Sequence, residues 1–229
     1  EINGDHLEII PAQKKRIGSK GFIVTNPNCS TIGLVMGVAP LHKKYGVTKI
    51  VVTTMQALSG AGYPGVASLD ILDNVVPYIG GEEDKVETEP QKILGTVKNN
   101  RFVMADIRIS ASCNRVNVKD GHLETVSIEL QVKPSCEELI ATLRDYNPLK
   151  GFNLPFAPSQ PIMVREENDR PQPRFDRDEG KGMTCVVGRI RKCSVLDYKF
   201  LVLSHNTIRG AAGAAILNAE YMKVKGYLD

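Results

Sequence analysis

Residues 21–45 read GFIVTNPNCSTIGLVMGVAPLHKKY and place Cys29 between a short apolar run and a long helical one. The apolar run favours an extended strand, the Asn-Pro-Asn that follows breaks it, and Ser30 or Thr31 can cap the next helix. Main-chain N–H groups and the positive end of the helix dipole favour a thiolate at such a place. We therefore expect a lowered pKa and a nucleophilic sulfur for Cys29. The alternative is a small buried core residue.

The rest of the chain predicts more strands than helices, and several of the strands follow one another directly. This arrangement is typical of an α+β fold, here a mixed sheet with its helices on one face. No GxGxxG motif and no P-loop follows a predicted strand, so we expect no dinucleotide-binding turn in these residues. The patterns predict strands at 49–55, 101–109, 123–132, 184–190 and 198–203, helices at 66–76, from 135 and at 207–225, and an irregular proline-rich excursion at 147–181.

The 229 residues have an ordinary globular composition, with 42% hydrophobic and 24% charged side chains. A formal charge of +3 suits a small anionic substrate and does not indicate a nucleic-acid surface. The five cysteines form no CxxC pair, which argues against a disulfide framework or zinc site and favours a reducing compartment. No apolar run approaches the roughly 20 residues that span a bilayer, and no signal peptide is recognisable. We therefore expect a cytoplasmic protein without membrane, nucleic-acid or metal partners.

Polar residues that could carry chemistry occur at three further places. Gln56 ends an apolar strand and opens a glycine-rich loop, while His122 follows a turn, seven residues after Arg115. Glu82 and Lys85 lie three apart in a charged run. Each place also has a simpler interpretation: a loop amide bonded to its own backbone, an exposed turn histidine and a solvated helix face. Taken singly, the residues leave both interpretations open.

Together these segments resemble the aspartate semialdehyde dehydrogenases of fungi and archaea, from the first residue to the last helix. The resemblance implies the catalytic and dimerisation domain that follows the nucleotide-binding domain in such enzymes, with a glyceraldehyde phosphate dehydrogenase-like fold. The neighbouring Glu83 leaves the family's glutamate open by one position. The matching motifs are Asn28-Cys29-Ser30-Thr31, Gln56-Ala57-Leu58-Ser59-Gly60, Arg115 with His122, Glu82 with Lys85, and Asn206 before a glycine- and alanine-rich helix.

The resemblance also implies a reaction, the reduction of L-aspartyl β-phosphate by NADPH to L-aspartate β-semialdehyde with release of phosphate. In it Cys29 forms a thioester that accepts hydride, His122 is the general acid and base, and Gln56 orients the acyl group. The implied substrate contacts are Arg115 to the α-carboxylate, Glu82 to the α-ammonium and Lys85 to the phosphate, with Asn28 beside them. The implied cofactor contacts are Asn206, Ser59 and Gly60.

A Rossmann domain with its glycine-rich fingerprint, which precedes this region in the family, is not recognisable here. We therefore expect a fragment, with residues 1–204 as the catalytic and dimerisation domain and 205–229 as a helix that packs on the nucleotide-binding domain. Such a chain is expected to form a homodimer or homotetramer but to bind NADPH too weakly for turnover. The alternatives are a malonyl-CoA reductase, an N-acetylglutamyl phosphate reductase, and a non-catalytic oligomerisation module.

Overall fold

The computed structural model of the protein describes residues 1–228, which form eight strands and seven α-helices joined by short 3-10 and π turns. The strands are β1 (Val47–Gln56), β2 (Thr96–Lys98), β3 (Arg101–Val103), β4 (Arg108–Arg115), β5 (His122–Leu130), β6 (Ile162–Arg165), β7 (Cys185–Lys192) and β8 (Tyr198–Ser204). The helices are α1 (Ile10–Ile17), α2 (Cys29–Tyr45), α3 (Ser68–Ile71), α4 (Glu82–Ile93), α5 (Cys136–Arg144), α6 (Pro173–Asp176) and α7 (Gly213–Val224). The expected α+β class is confirmed.

Six of the strands form one mixed sheet in the order β4-β1-β5-β8-β7-β6. The outer pairs β4–β1 and β7–β6 are parallel, and the three inner pairings are antiparallel. With these directions, the last residues of β1, β4 and β8 and the first residue of β5 lie at the same end of the strands. Gln56, Arg115, His122 and Ser204 therefore lie at neighbouring strand ends, although they are far apart in sequence.

The two faces of the sheet differ in composition. Helices α2, α4 and α5 cover one face, where Leu34, Val38, Val52, Val126 and Val202 are part of a continuous core. The opposite face is open in this chain, and its central side chains are short or β-branched. The exposed positions at the centre of that face are Val51, Thr53, Ser110, Ser112 and Thr125, and Arg108 is exposed at the start of β4.

Four predictions of secondary structure were wrong or incomplete. The single strand expected at 101–109 is two strands, β3 and the start of β4, because the chain at 104–107 leaves the extended pairing. Residues 22–24 are not a strand, because the main chain of Ile23 bonds to the side chain of Gln13 and not to another strand. The helix expected at 66–76 is only the single turn α3. The excursion at 147–181 contains β6, a short edge strand whose pairing with β7 is a long-range contact that local patterns do not show.

The C-terminal segment packs on the body of the chain. Leu217 of α7 lies in a small cluster with Leu149, Leu154 and Met183. The division at residue 204 and the partner of this helix stay predictions, and the last residue of the segment, Asp229, lies outside the described residues. Within residues 1–228, no helix combines the length and the hydropathy needed to cross a membrane.

Candidate active site

The turn that carries Cys29 is held by Asn28, which is the N-cap of α2. Its side-chain oxygen accepts hydrogen bonds from the main-chain N–H groups of Ser30 (2.9 Å) and Thr31 (3.2 Å). The expected cap at Ser30 or Thr31 was therefore wrong by two or three positions, since both residues lie inside the first helical turn. Cys29 is the first residue of the helix, as the sequence predicted in outline.

His122 lies directly against the cysteine. Its Nε2 is 3.2 Å from the Cys29 sulfur, and its Nδ1 accepts a hydrogen bond from the main-chain N–H of Ala57 at 3.0 Å. Because Nδ1 is an acceptor, the proton of the neutral imidazole is on Nε2, where it points at the sulfur. His122 is fully buried, so the simpler interpretation as an exposed turn histidine is wrong.

The protonation state of Cys29 beside His122 differs from the thiolate that the sequence led us to expect. Burial and the nearby Glu82 carboxylate raise the pKa of Cys29 to about 11, although the N–H groups of Ser30 and Cys29 favour the thiolate. Burial, followed by the Arg115 charge, lowers the pKa of His122 to about 3. In this state the pair is therefore a thiol and a neutral imidazole. The prediction of a lowered Cys29 pKa was wrong because it counted the helix dipole and not the desolvation of the sulfur.

Glu82 connects most of the predicted site residues. Its carboxylate accepts both contacts from the Asn28 amide (2.9 and 2.8 Å), one from Gln56 (3.2 Å), and forms an ion pair with Lys85 (3.1 Å). Glu83 points elsewhere, since its carboxylate accepts the main-chain N–H of Cys113 on β4. Of the two glutamates, Glu82 therefore faces the Asn28–Cys29 turn and Glu83 faces β4.

Arg115 and the loop after β1 complete the rim of the site. The Arg115 guanidinium is buried and donates to the carbonyl oxygen of Ala57 at 2.7 Å. A Cβ on Gly60 would lie 2.9 Å from Arg115 Nη1 and 3.0 Å from His122 Nε2, so this position requires glycine for the close approach. The structure thus gathers Arg115, His122 and Gly60 around the sulfur.

The expected cofactor residues lie beside this rim. Asn206 donates to the Ser59 hydroxyl at 2.9 Å and accepts the main-chain N–H of Gly121 at 2.8 Å. Ser59 adjoins Gly60 in the loop, so all three residues named for the cofactor lie together. The side chain of Asn206 thus connects the segment after β8 with the turn before His122 and with the loop that carries Ser59. These contacts fix the shape of this wall.

Three residues of the site were missed by sequence reasoning. Glu89 accepts the main-chain N–H of Asn28 at 2.8 Å. A Cβ on Gly210 would lie 2.9 Å from the Cys29 Cβ, so this glycine packs directly on the cysteine. Glu124 is a fully buried carboxyl group behind the turn. Glu89 had a readable signal, since it lies seven residues after Glu82, on the same side of a helix.

The fold and the site define an α+β domain whose strand ends gather around a buried Cys29–His122 pair. Residues 38–209 match the family model described as the semialdehyde dehydrogenase dimerisation domain, and the chain belongs to this family.

Two relatives and one solved structure make the likeness more specific. The chain is 56% identical over 97% of its length to the aspartate-semialdehyde dehydrogenase of Archaeoglobus fulgidus and covers 64% of that protein. It is 48% identical over 99% of its length to the enzyme of the same name from Aspergillus fumigatus, of which it covers 66%. The crystal structure of aspartate semialdehyde dehydrogenase with NADP from Candida albicans matches with a TM-score of 0.88 and 45% identity, over 99% of this chain and 66% of that one. The chain thus spans less than two thirds of the length of these relatives.

Proposed function

We propose that this chain is the catalytic and dimerisation part of an aspartate-semialdehyde dehydrogenase, which reduces L-aspartyl β-phosphate to L-aspartate β-semialdehyde with NADPH. The single observation that carries the proposal is the Cys29–His122 contact of 3.2 Å, framed by Glu82, Lys85 and Arg115. Acyl transfer to a thiol needs a nucleophile, a proton donor and charges that fit the substrate, and this site offers all of them. The relatives of this name support the substrate assignment.

On the strength of this contact we assign the nucleophilic role to Cys29 and the stabilisation of developing charge to His122. The Cys29 sulfur attacks the acyl carbon, its proton goes to the departing phosphate, and a thioester forms. The thioester carbon then accepts hydride, which NADPH would supply, and the resulting tetrahedral anion expels the Cys29 thiolate to give the aldehyde. The thiolate regains its proton from solvent. Because Nδ1 of His122 is fixed as an acceptor by Ala57, Nε2–H is the group that faces the reacting atoms. We infer that His122 serves in both steps as a hydrogen-bond donor, from Nε2 to the developing negative charge.

The charged groups fit an amino acid at one end and a phosphate at the other. The planar Arg115 guanidinium suits a bidentate α-carboxylate, and the Glu82 carboxylate suits an α-ammonium. Lys85 is half exposed and can turn from Glu82 toward a phosphate. Gln56 donates to Glu82 at 3.2 Å, so its amide is already aimed into the site where an acyl group would lie.

Binding of NADP is proposed on the likeness to the Candida albicans enzyme, whose structure contains that cofactor. Asn206, Ser59 and Gly60 form the wall on which a nicotinamide would rest, next to His122. Residues 1–228 contain no doubly wound parallel sheet for the rest of a dinucleotide. We propose that these residues alone carry out acyl transfer but hold NADPH too weakly for turnover. The five free thiols of the described chain suit a reducing compartment, and we propose the cytoplasm.

Acylation of Cys29 by an acyl phosphate tests this function without NADPH. The purified chain is mixed with L-aspartyl β-phosphate, and released phosphate and the mass of each cysteine peptide are measured. We expect release of one phosphate per site and an aspartyl adduct on Cys29. The adduct should be absent from a Cys29→Ser variant. Acylation by malonyl-CoA or N-acetylglutamyl phosphate at an equal rate would favour the related reductases. No adduct with any of the three, in a folded chain, would favour a non-catalytic oligomerisation module.

We further propose that the open face of the sheet binds a second copy of the chain. The family is named for dimerisation, and Val51, Thr53 and Ser112 are exposed, uncharged side chains at the centre of this face. Tyr63 of the loop after β1 and Leu69 of α3 are further exposed apolar side chains that a second copy could cover.

Sedimentation of a charge variant tests the dimer. Val51→Arg places a cation at the centre of the open face and is expected to convert the dimer to a monomer, because an unpaired charge would be buried at the contact. Val195→Arg is the matched control, since Val195 is an exposed apolar residue in the β7–β8 connection. Equal masses for both variants and the wild type would contradict this surface, and a mass of four chains would show a tetramer.

A further inference from the structure

Helix α4 presents two rows of carboxylates, and the rows contact different parts of the molecule. Glu83 and Glu87 accept main-chain N–H groups of β4, from Cys113 at 3.0 Å and from Ala111 at 2.9 Å. These bonds fasten α4 to the edge strand of the sheet. Glu82 and Glu89 face the other way, toward Asn28.

Asn28 is bonded through all of its polar groups, and its carbonyl accepts the main-chain N–H of Ile32 at 3.0 Å as the first bond of α2. Its side-chain oxygen accepts from Ser30 and Thr31, its side-chain nitrogen donates to Glu82, and its main-chain N–H donates to Glu89 at 2.8 Å. Asn28 immediately precedes Cys29, so these bonds determine where the sulfur points. Two of the acceptors that hold Asn28, Glu82 and Glu89, belong to the same helix, α4.

We propose that Glu89 is a positioning residue for the nucleophile, which holds the Asn28–Cys29 turn through the main chain while Glu82 is engaged by substrate. This inference rests on the proposed function, because it assigns the substrate ammonium to Glu82. The two Glu82 oxygens already accept from Asn28, Gln56 and Lys85. An ammonium group that binds there competes with the Asn28 amide for the same lone pairs.

The bond from Glu89 is independent of that competition. It reaches the main-chain N–H of Asn28, which no ligand at Glu82 displaces, and it comes from a position seven residues further along the same helix face. Charge-assisted hydrogen bonds to main-chain N–H groups are short and directional, as the 2.8 Å distance here illustrates. The turn can therefore stay in place while Glu82 changes partners.

Three variants separate positioning from mere anchoring of the helix. Glu89→Ala removes the acceptor, Glu89→Gln keeps a neutral acceptor of the same reach, and Glu87→Ala is the matched control, because Glu87 makes an equivalent bond from the same helix to β4. The rate of Cys29 acylation by 4-nitrophenyl acetate is measured in the folded chain, together with urea unfolding. This ester needs neither Glu82 nor a coenzyme.

We expect Glu89→Ala to slow acylation about tenfold, because small displacements of a reacting group cost rates of this order. Glu89→Gln and Glu87→Ala are expected to stay within about twofold of the wild type. Equal losses in Glu89→Ala and Glu87→Ala would overturn the proposal in favour of helix anchoring. A Glu89→Gln rate as low as that of Glu89→Ala would also overturn it, since the charge and not the bond would then matter.

Two further measurements keep the result decisive. If Glu89→Ala does not fold, Glu89→Asp retains the charge but shortens the reach, and it too should acylate slowly; a wild-type rate would overturn the proposal. If the wild-type thiol is not acylated at all, the proposed function fails, and alkylation by iodoacetamide replaces acylation. A slower alkylation of Glu89→Ala than of Glu89→Gln would then still support positioning, and equal rates would overturn it.

Discussion

Two buried carboxyl groups lie on opposite sides of the Cys29 turn, and their surroundings differ completely. In front, Glu82 is met by Asn28, Gln56 and Lys85, and it forms an ion pair. Behind, Glu124 lies on β5 with its side chain against α2, and neither of its oxygens has a hydrogen-bond partner among residues 1–228. Burial raises the pKa of Glu124 well above its ordinary value, which favours its neutral, protonated form.

The contrast shows that hydrogen-bond partners favour the charged form of Glu82, and that burial without partners favours the neutral form of Glu124, near the same thiol. The number of donors decides the outcome, because a carboxylate that receives several hydrogen bonds tolerates burial and an isolated one does not. Both carboxyl groups, when charged, raise the pKa of Cys29. Holding Glu124 neutral therefore spares the sulfur a second negative neighbour.

The largest expected effect is that of Gly60→Ala, a substitution beside His122 and Arg115. The new Cβ would lie within 3.0 Å of His122 Nε2 and Arg115 Nη1, so the loop or these two side chains must shift, and the Cys29–His122 contact is disturbed. We expect acylation of Cys29 to fall by roughly 100-fold, as for misplaced catalytic groups in general. Gly21→Ala is the control, since its nearest neighbour is the Ser19 hydroxyl at 3.5 Å. A Gly60→Ala rate close to that of Gly21→Ala would contradict this geometry.

The second prediction concerns Glu124 and the pH dependence of the free energy of unfolding. Glu124→Gln keeps the size of the side chain and removes its titration. In the wild type, the unfolded chain releases the proton above the ordinary pKa of 4.5, whereas the folded protein keeps it, so stability present at low pH is lost as pH rises toward the folded pKa.

The free energy of unfolding should therefore diverge between the two proteins above about pH 4.5. Glu124→Gln is expected to become more stable than the wild type by up to roughly 1 kcal/mol for each pH unit, until the folded pKa is reached. Urea unfolding of both proteins at several pH values measures the difference. A difference that does not change with pH would show that Glu124 is not a neutral buried acid.

A third prediction probes the packing behind the turn. A Cβ on Gly33 would lie 2.7 Å from the Ser204 hydroxyl and 3.2 Å from a Glu124 oxygen. Gly33→Ala should destabilise the protein by about 1–2 kcal/mol, because overpacking outweighs the helix propensity that alanine gains. Urea unfolding of the double variant with Ser204→Ala should recover most of this loss. If Ser204→Ala does not relieve the effect, the contact is not its cause.

The sequence predicted the frame of the molecule better than its site chemistry. Strands β1, β5, β7 and β8 were found because β-branched and apolar runs are local signals. The helix expected from residue 135 is present as α5, and it begins with a capping box of Ser135 and Glu138, which is a local signal. By contrast, β6 depends on its pairing with β7, and the chain at 22–24 lacks a strand partner among the described residues, which no local pattern reveals.

At the site, the identity of residues was easier to predict than their charge. Cys29, His122 and Glu82 were all named from motifs, and the structure brings them together. The pKa of Cys29 went the other way because burial and a carboxylate that is distant in sequence outweigh the helix terminus. Glu89 was overlooked because the charged run around it resembles an ordinary solvated helix face.

The smallest expected effect, and the one that sharpens the contrast most directly, is that of Glu82→Gln on the titration of Cys29. The Glu82 charge is the second cause, after burial, of the raised Cys29 pKa of about 11. Removing a negative charge favours the thiolate, and Lys85 loses its ion-pair partner and is freed as a nearby cation. The midpoint of Cys29 alkylation by iodoacetamide should therefore fall below that of the wild type, with a rate at about pH 8 that rises ~3-fold or more.

Glu83→Gln is the matched control for this experiment, because Glu83 lies one position further along α4 and bonds to β4. Its Cys29 titration should coincide with that of the wild type. An unchanged or higher midpoint in Glu82→Gln would mean that the hydrogen bonds of Glu82, and not its charge, govern the thiol. A lower midpoint would mean that any cation bound at Glu82, including a substrate ammonium, activates the nucleophile it faces.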